Sequence, residues 1–247
     1  MKVALVQTEI IWNKPEENFE RISKLIANSS VDLIVLPEMF STGFSMMAGD
    51  RVSEVEKLSR EFLSSKAKEL GTTILGSFPS ISTSVEKPRN NLAIYSPEGL
   101  QGEYAKLNLF TPTREDARYE PGDGDLTVEL SGVRCSFFIC FDLRFPMVFN
   151  SIAKDTDLFV VIANWPRERI DHWTSLLKAR AIENQAYVVG VNCVGGTEKF
   201  FCPGQSLAIG PKGEILAQMN GQSGVAEVEV AADVVKKWRE EFRVIDG

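Results

Sequence analysis

Apolar positions along the 247-residue chain change period repeatedly, from the unbroken or alternating runs of strands to the i, i+3, i+4 spacing of helices. Val3 to Val6 predict a strand over 2–8. Asn13, Pro15 and Glu16 carry helix-start chemistry, with proline early and an acid in the first turn. Phe19, Ile22, Leu25 and Ile26 then form one apolar face. The short run over 32–36, Asp-Leu-Ile-Val-Leu, is that of a strand buried on both faces. Helical spacing returns over 51–70, with Val55, Leu58, Phe62 and Leu70 on one side. Strands are predicted at 72–78 and 91–95, and a further one at 102–106 after the turn Ser96-Pro97-Glu98-Gly99.

The second half repeats this rhythm. Strands at 126–130 and 133–140 meet at Ser131-Gly132, and a helix should start near Phe145-Pro146. A buried strand over 157–163 leads to a helix over 171–184 carrying Trp173, Leu176, Leu177 and Arg180, and then to a strand over 186–192. A hairpin over 205–219 turns at Gly210-Pro211-Lys212-Gly213. A strand at 224–230 and a helix at 231–240 follow. There is no low-complexity linker and no clear repeat. The alternation predicts one α/β domain over 1–247, with two sheets and outer helices. A doubly wound sheet fits the same rhythm, but no G-x-G-x-x-G follows the first strand, so the phosphate cradle of a dinucleotide site is missing.

Composition narrows the function classes. With 44% hydrophobic and 25% charged residues, the chain is ordinary for a globular protein. A formal charge of -7 argues against nucleic acid as a partner. The first residues do not read as a signal peptide, and no apolar run spans a bilayer, so no membrane association is expected. The four cysteines, at 135, 140, 193 and 202, form no C-x-x-C pair and have no zinc spacing. Free thiols in a reducing cytoplasm are the simplest reading. The one histidine, His172, excludes multi-histidine metal chemistry.

Three residues stand out as candidate chemistry. Cys140 ends the apolar strand Cys135 to Cys140, just before Phe141-Asp-Leu-Arg-Phe-Pro146 turns toward a helix. At such an elbow the side chain points outward and the following N–H groups lack partners. They and the helix dipole favour a thiolate, so a lowered thiol pKa is expected, and the next N–H can donate to an oxyanion. A small buried core cysteine fits the same pattern. Glu38 follows the buried run Leu33 to Pro37, where α/β sheets place ligands, and partial burial suits a general base. It also fits a loop acid that caps a helix or pairs with an arginine. Lys106, within Tyr104-Ala-Lys-Leu-Asn-Leu-Phe110, is costly in an apolar stretch unless paired or used, though an edge-strand lysine that blocks aggregation fits too.

Taken together, Pro37-Glu38-Met39-Phe40, Tyr104 to Phe110 and Cys140 to Pro146 resemble the three signature motifs of the nitrilase superfamily. The opening Val3-Ala-Leu-Val-Gln7 and the closing Gly210-Pro-Lys-Gly-Glu-Ile-Leu216 agree, so the resemblance runs over nearly the whole chain. It implies a four-layer α-β-β-α sandwich and a Glu-Lys-Cys triad. Glu38 would be the general base, Lys106 the stabiliser of the tetrahedral intermediate with the Phe141 N–H, and Cys140 the nucleophile. Glu115 is the best match to a further positioning glutamate, although Asp116 and Glu120 are close by. No metal or organic cofactor is implied. A homodimer or larger homo-oligomer is, with 146–154 and 171–184 the segments expected at the interface.

Within the superfamily, Pro37 to Phe44, Asn164-Trp165-Pro166-Arg167, His172-Trp173 and Lys178 to Tyr187 look like the omega-amidase branch. That branch hydrolyses the terminal amide of 2-oxoglutaramate or 2-oxosuccinamate, so the expected partner is a small-molecule amide. An arginine fork suits its distal carboxylate, and Arg167 and Arg169, after a strand end, are the candidates. Arg144 reads instead as structural, paired with a nearby acid. Phe44 and Trp165 would wall the pocket. Still open are an N-carbamoyl amino acid amidohydrolase, a deaminated-glutathione amidase or a nitrilase, a non-catalytic scaffold, a thiol redox sensor, and a Cys140–His172 dyad.

Overall fold

The computed structural model describes residues 1–44, 51–81, 87–198 and 200–245. The apolar runs become strands whose two faces separate by parity. β1 (Lys2–Gln7), β2 (Leu33–Val35) and β3 (Thr73–Ser80) lie side by side and parallel. Parallel neighbours require crossovers, and the two amphipathic segments supply them as α1 (Pro15–Ile26) and α2 (Arg51–Leu70). β4 (Arg89–Ser96) and β5 (Gly99–Ala105) continue the sheet antiparallel, and β14 (Gly224–Glu229) closes its other edge against β1. Ala4, Val6 and Ile34 pack with Ile22, Ile26 and Leu63 of the helices. Val3, Leu5, Leu33 and Val35 face the opposite way, into a larger core.

The second six-stranded sheet supplies the rest of that core. It contains β6 (Thr127–Leu130), β7 (Val133–Ile139), β8 (Leu158–Ala163), β9 (Tyr187–Asn192), β12 (Leu207–Ile209) and β13 (Ile215–Gln218). β7, β8 and β9 are parallel. α4 (Ile170–Asn184) crosses between β8 and β9 and covers the outer face with Trp173, Leu177 and Ala181. The short α3 (Pro146–Asn150) packs against α4, and α5 (Ala232–Glu241) sends Arg239 to the carbonyls of Ala153, Thr156 and Asn184. The layers therefore run α-β-β-α, the sandwich expected. Among the described residues no helix is long and apolar enough to cross a membrane, and no cluster could hold a metal ion.

Three local differences from the sequence expectation affect the site. The buried stripe of α2 is Val52, Val55, Ser59, Leu63 and Ala67, while Leu58, Phe62 and Leu70 are only partly covered. The i, i+4 row wins because the sheet accepts a narrower stripe than the apolar residues offer. β5 stops at Ala105, so Lys106 leaves the edge strand and turns inward. An antiparallel hairpin of β10 (Val194–Thr197) and β11 (Phe200–Pro203) forms where no element was expected. Gly195 and Gly196, both at positive φ, hide it from a period-2 reading.

Candidate active site

Parallel strands of the two sheets end at the same edge of the sandwich, and the candidate residues sit just beyond those ends. Glu38 follows β2, and Met39 next to it adopts a left-handed φ of 49° that turns the chain away. Cys140 follows β7, also at a φ of 49°, and opens a 3-10 turn over Cys140–Arg144. Such a conformation is costly for a residue with a Cβ and persists only where surrounding bonds hold it. Asp142 supplies those bonds. Its buried carboxylate accepts from the Ile139 N–H (3.0 Å), the Tyr104 hydroxyl (2.7 Å), and the Asn108 N–H (2.7 Å) and Nδ2 (3.0 Å). The Cys140 turn is thus fastened to the loop that carries Lys106.

Lys106 has no exposed surface, and neither do Glu38 and Glu115. The lysine Nζ donates to Glu38 Oε1 (3.0 Å) and to both oxygens of Glu115 (3.1 and 3.0 Å). Glu115 is held in turn by the Phe110 N–H at 2.5 Å. It is therefore a buried member of the cluster, not a solvated loop acid. Burial alone would depress the Lys106 ammonium, but Glu38 and Glu115 outweigh it and hold it well above the ordinary lysine value. Burial pushes the Glu115 carboxyl up, Lys106 opposes this and Glu38 reinforces it. Glu38 also accepts from Asn90 Nδ2 at 2.8 Å and from the Asn164 N–H at 2.8 Å.

Cys140 and Glu38 line the same cavity. The expected resting thiolate is not what this environment favours. Burial pushes the Cys140 thiol well above its ordinary value, the Glu38 charge adds to this, and Lys106 only partly opposes it. The lysine is already neutralised by two carboxylates, which outweigh the partial charge of a one-turn helix start. Haloacetamide labelling of Cys140 in the free protein should be slow at neutral pH and still accelerating above pH 9, the ordinary thiol value. A rate already level at neutral pH would mean a resting thiolate.

The cavity over Cys140 is nearly filled by side chains, with about 20 Å³ free, room for about one water. Phe44 and Trp165 wall it as expected, together with Phe110, Phe141 and Phe200. Arg169 lines it and lies over the Phe110 ring, 5.2 Å from its centroid. Arg167 does not line it. That side chain pairs with Glu168 (3.2 Å) and lies over Phe201. Arg144 takes its place on the cavity wall, over the Trp165 ring at 5.0 Å and with Nη2 3.0 Å from His172 Nδ1. The acid partner expected for Arg144 is not present among the described residues, and burial with the nearby Arg169 lowers its pKa. His172 is exposed and contacts Arg144, away from the cavity lining, which removes the geometric basis for a dyad with Cys140.

A match to the family described as carbon-nitrogen hydrolase covers residues 2–240. The chain belongs to this family, the nitrilase superfamily. This carbon-nitrogen hydrolase is 32% identical over 249 residues to a 2-oxoglutaramate amidase of Bacillus subtilis (strain 168), covering 99% of this chain and 96% of the relative. It is 34% identical over 246 residues to omega-amidase YafV of Escherichia coli (strain K12), covering 98% and 94%. Among solved structures, XC1258 from Xanthomonas campestris superposes with a TM-score of 0.91 at 30% identity, covering 100% of this chain and 97% of that one. That protein is a CN-hydrolase superfamily member with an arsenic adduct in its active site. Membership carries the hydrolysis of carbon–nitrogen bonds by amidase or nitrilase chemistry.

Sequence reasoning did not single out Asn90, Asp142 or Phe200, and it misread Arg144. Asn164 was legible in principle, because it ends β8 as Glu38 and Cys140 end their strands. Phe200 carried no signal, since its hairpin reaches the cavity only through tertiary packing.

Proposed function

We propose that this carbon-nitrogen hydrolase is an omega-amidase that cleaves the terminal amide of a small 2-oxo acid amide, 2-oxoglutaramate or 2-oxosuccinamate. The observation that carries the reading is the pair Arg144 and Arg169. Besides Lys106, which Glu38 and Glu115 neutralise, two arginines line a largely aromatic cavity beside Cys140, and neither has a carboxylate within ion-pair distance among the described residues. Unneutralised guanidinium groups call for an anionic substrate group, and a planar carboxylate matches their fork. The similarity to a 2-oxoglutaramate amidase and to omega-amidase YafV supports the same class.

In this reading Glu38 takes the Cys140 thiol proton as sulfur attacks the amide carbon. The Lys106 ammonium and the Phe141 N–H stabilise the oxyanion. The second of these belongs to the second residue of the 3-10 turn over Cys140–Arg144, where the first N–H groups have no intrahelical acceptor. Glu115 holds Lys106 in place. Glu38 then protonates the departing ammonia and activates the water that cleaves the thioester.

The test is ammonia release from 2-oxoglutaramate beside simple amides, N-carbamoyl amino acids and nitriles. The 2-oxo acid amide should give the highest kcat/KM. Arg144→Gln should raise its KM by roughly 10- to 100-fold, the equivalent of losing about 1.5–3 kcal/mol of charged hydrogen bonding, with kcat little changed. Preference for another panel member would discard the omega-amidase reading and leave the cysteine chemistry in place. An unchanged KM would remove Arg144 from the carboxylate site.

A further inference from the structure

Asn164 touches Glu38 twice. Its backbone N–H donates to Glu38 Oε2 at 2.8 Å, and its side-chain Nδ2 donates to the Glu38 carbonyl oxygen at 2.6 Å. One residue thus grips both the main chain and the carboxylate of the general base, across the gap between the two sheets. The carboxamide can do this in only one orientation. A carbonyl oxygen can only accept, so the NH2 group must face Glu38, and Oδ1 must face the other way. There it meets Cys193, whose Sγ lies 3.0 Å from Oδ1.

Cys193 takes no part in the proposed chemistry and does not line the cavity. It is buried in a small cluster with Ile10 and Cys202, where the chain passes from β9 into the β10–β11 hairpin. Burial pushes its thiol well above the ordinary value, and the adjacent Cys202 and the Glu38 charge add to this. The shift favours the S–H form that donates to Asn164 Oδ1. Cys202 packs in the same small cluster. The neighbouring Asn192 fixes the next residue of the same loop, its Oδ1 accepting from the Trp165 N–H at 2.7 Å.

We propose that Asn164 is a positioning residue for Glu38, and that the Cys193 thiol sets its orientation by donating to Asn164 Oδ1. This rests on the reading of Glu38 as the general base. Without the donor, a buried carbonyl is left unsatisfied, and a carboxamide rotation that relieves it aims Oδ1 at the Glu38 carbonyl oxygen. The base then loses one of its two anchors to this loop.

The experiment compares Cys193→Ala, Cys193→Ser and Glu38→Gln with the wild type, with a melting curve for each. Cys193→Ala should lower kcat by roughly tenfold, a fraction of the 10²–10⁴ that a positioned base contributes, with KM within about twofold. Cys193→Ser should recover most of that loss, because a hydroxyl donates to the same oxygen while matching neither the size nor the hydrophobicity of sulfur. Asn164→Ala, which keeps the backbone N–H, should resemble Cys193→Ala in its kcat and KM. If the alanine and serine variants of Cys193 behave alike, whether both lose activity or neither does, the donor role is overturned. If Glu38→Gln keeps wild-type turnover, the general-base reading fails and this inference fails with it. A dead Glu38→Gln beside a fully active Cys193→Ala overturns only the inference.

Discussion

Cys140→Ala should lose at least roughly 10⁴-fold in kcat on the best amide, while its melting temperature stays near that of the wild type. The two expectations have separate causes. In the proposed mechanism the thiol is the group that bonds to substrate, and among the described residues no other cysteine, serine or threonine lines the cavity. The remaining Glu38, Lys106 and Phe141 N–H would still bind the amide and polarise it, which leaves a small residual hydrolysis by water. Stability changes little because the sulfur sits on a cavity wall and the alanine Cβ fits the same left-handed backbone, which the Asp142 bonds continue to hold. The check is ammonia release alongside intact-protein mass spectrometry. A rapidly quenched wild-type reaction should show an acyl adduct that the alanine variant lacks. Turnover above roughly 1% of wild type in Cys140→Ala would refute covalent catalysis at this residue.

Lys106→Met should be the most damaging single change to the fold and should lower activity as well. Among the described residues Lys106 is the one cation hydrogen-bonded to Glu38 and Glu115, and all three side chains are fully buried. Removing it leaves two carboxylates desolvated and facing each other. Breaking a buried ion pair by deleting one partner costs about 3–5 kcal/mol, which for a chain of this size lowers Tm by roughly 10 °C. The loss has a predictable pH dependence. The Glu115 carboxyl is already raised by burial, and without the pull of Lys106 it rises further. A carboxyl raised in the folded state favours its neutral form there. The folded variant therefore keeps its stability below the ordinary carboxylate value and loses it as pH climbs through the raised one. Lys106→Met should accordingly lie nearest the wild type in mild acid and furthest from it at neutral pH.

The double variant Lys106→Met, Glu115→Gln separates the two roles of the lysine. It removes one unpaired charge, so a good part of the stability should return. Activity should not, because the cation that faces the oxyanion is still missing, a loss of roughly 10²–10³ in kcat. Recovery of activity in the double variant would show that Lys106 serves only to neutralise its neighbours. Melting curves at several pH values, with kcat at each, decide the matter.

The order of elements was legible because it depends on local pattern. Residues 2–8, 157–163 and 186–192 are near-continuous apolar runs, and a strand buried on both faces must look that way. The helices between them, and the position of Glu38 and Cys140 just past strand ends, follow from the same periodicity. Their meeting does not. Lys106 and Glu38 are 68 residues apart, Asn164 and Glu38 126, and no local rule sets how two sheets register against each other. That register, fixed by the packing of Val3, Leu5, Val35 and their neighbours against the second sheet, brings the strand ends to one point.

By itself, the sequence determined the strands and helices, the α/β class and, through its motifs, the family and the three residues worth testing. Only the tertiary structure decided the electrostatics. Burial and the nearby Glu38 push the pKa of the Cys140 thiol up, with Lys106 only partly opposing them, and Glu115 is a ligand of Lys106 because the 3-10 turn after Phe110 folds it inward. Arg144 faces the cavity and Arg167 faces away because the aromatic rings of Trp165 and Phe201 accept them there. Periodicity is a property of neighbours along the chain, whereas charge, burial and pairing are properties of neighbours in space.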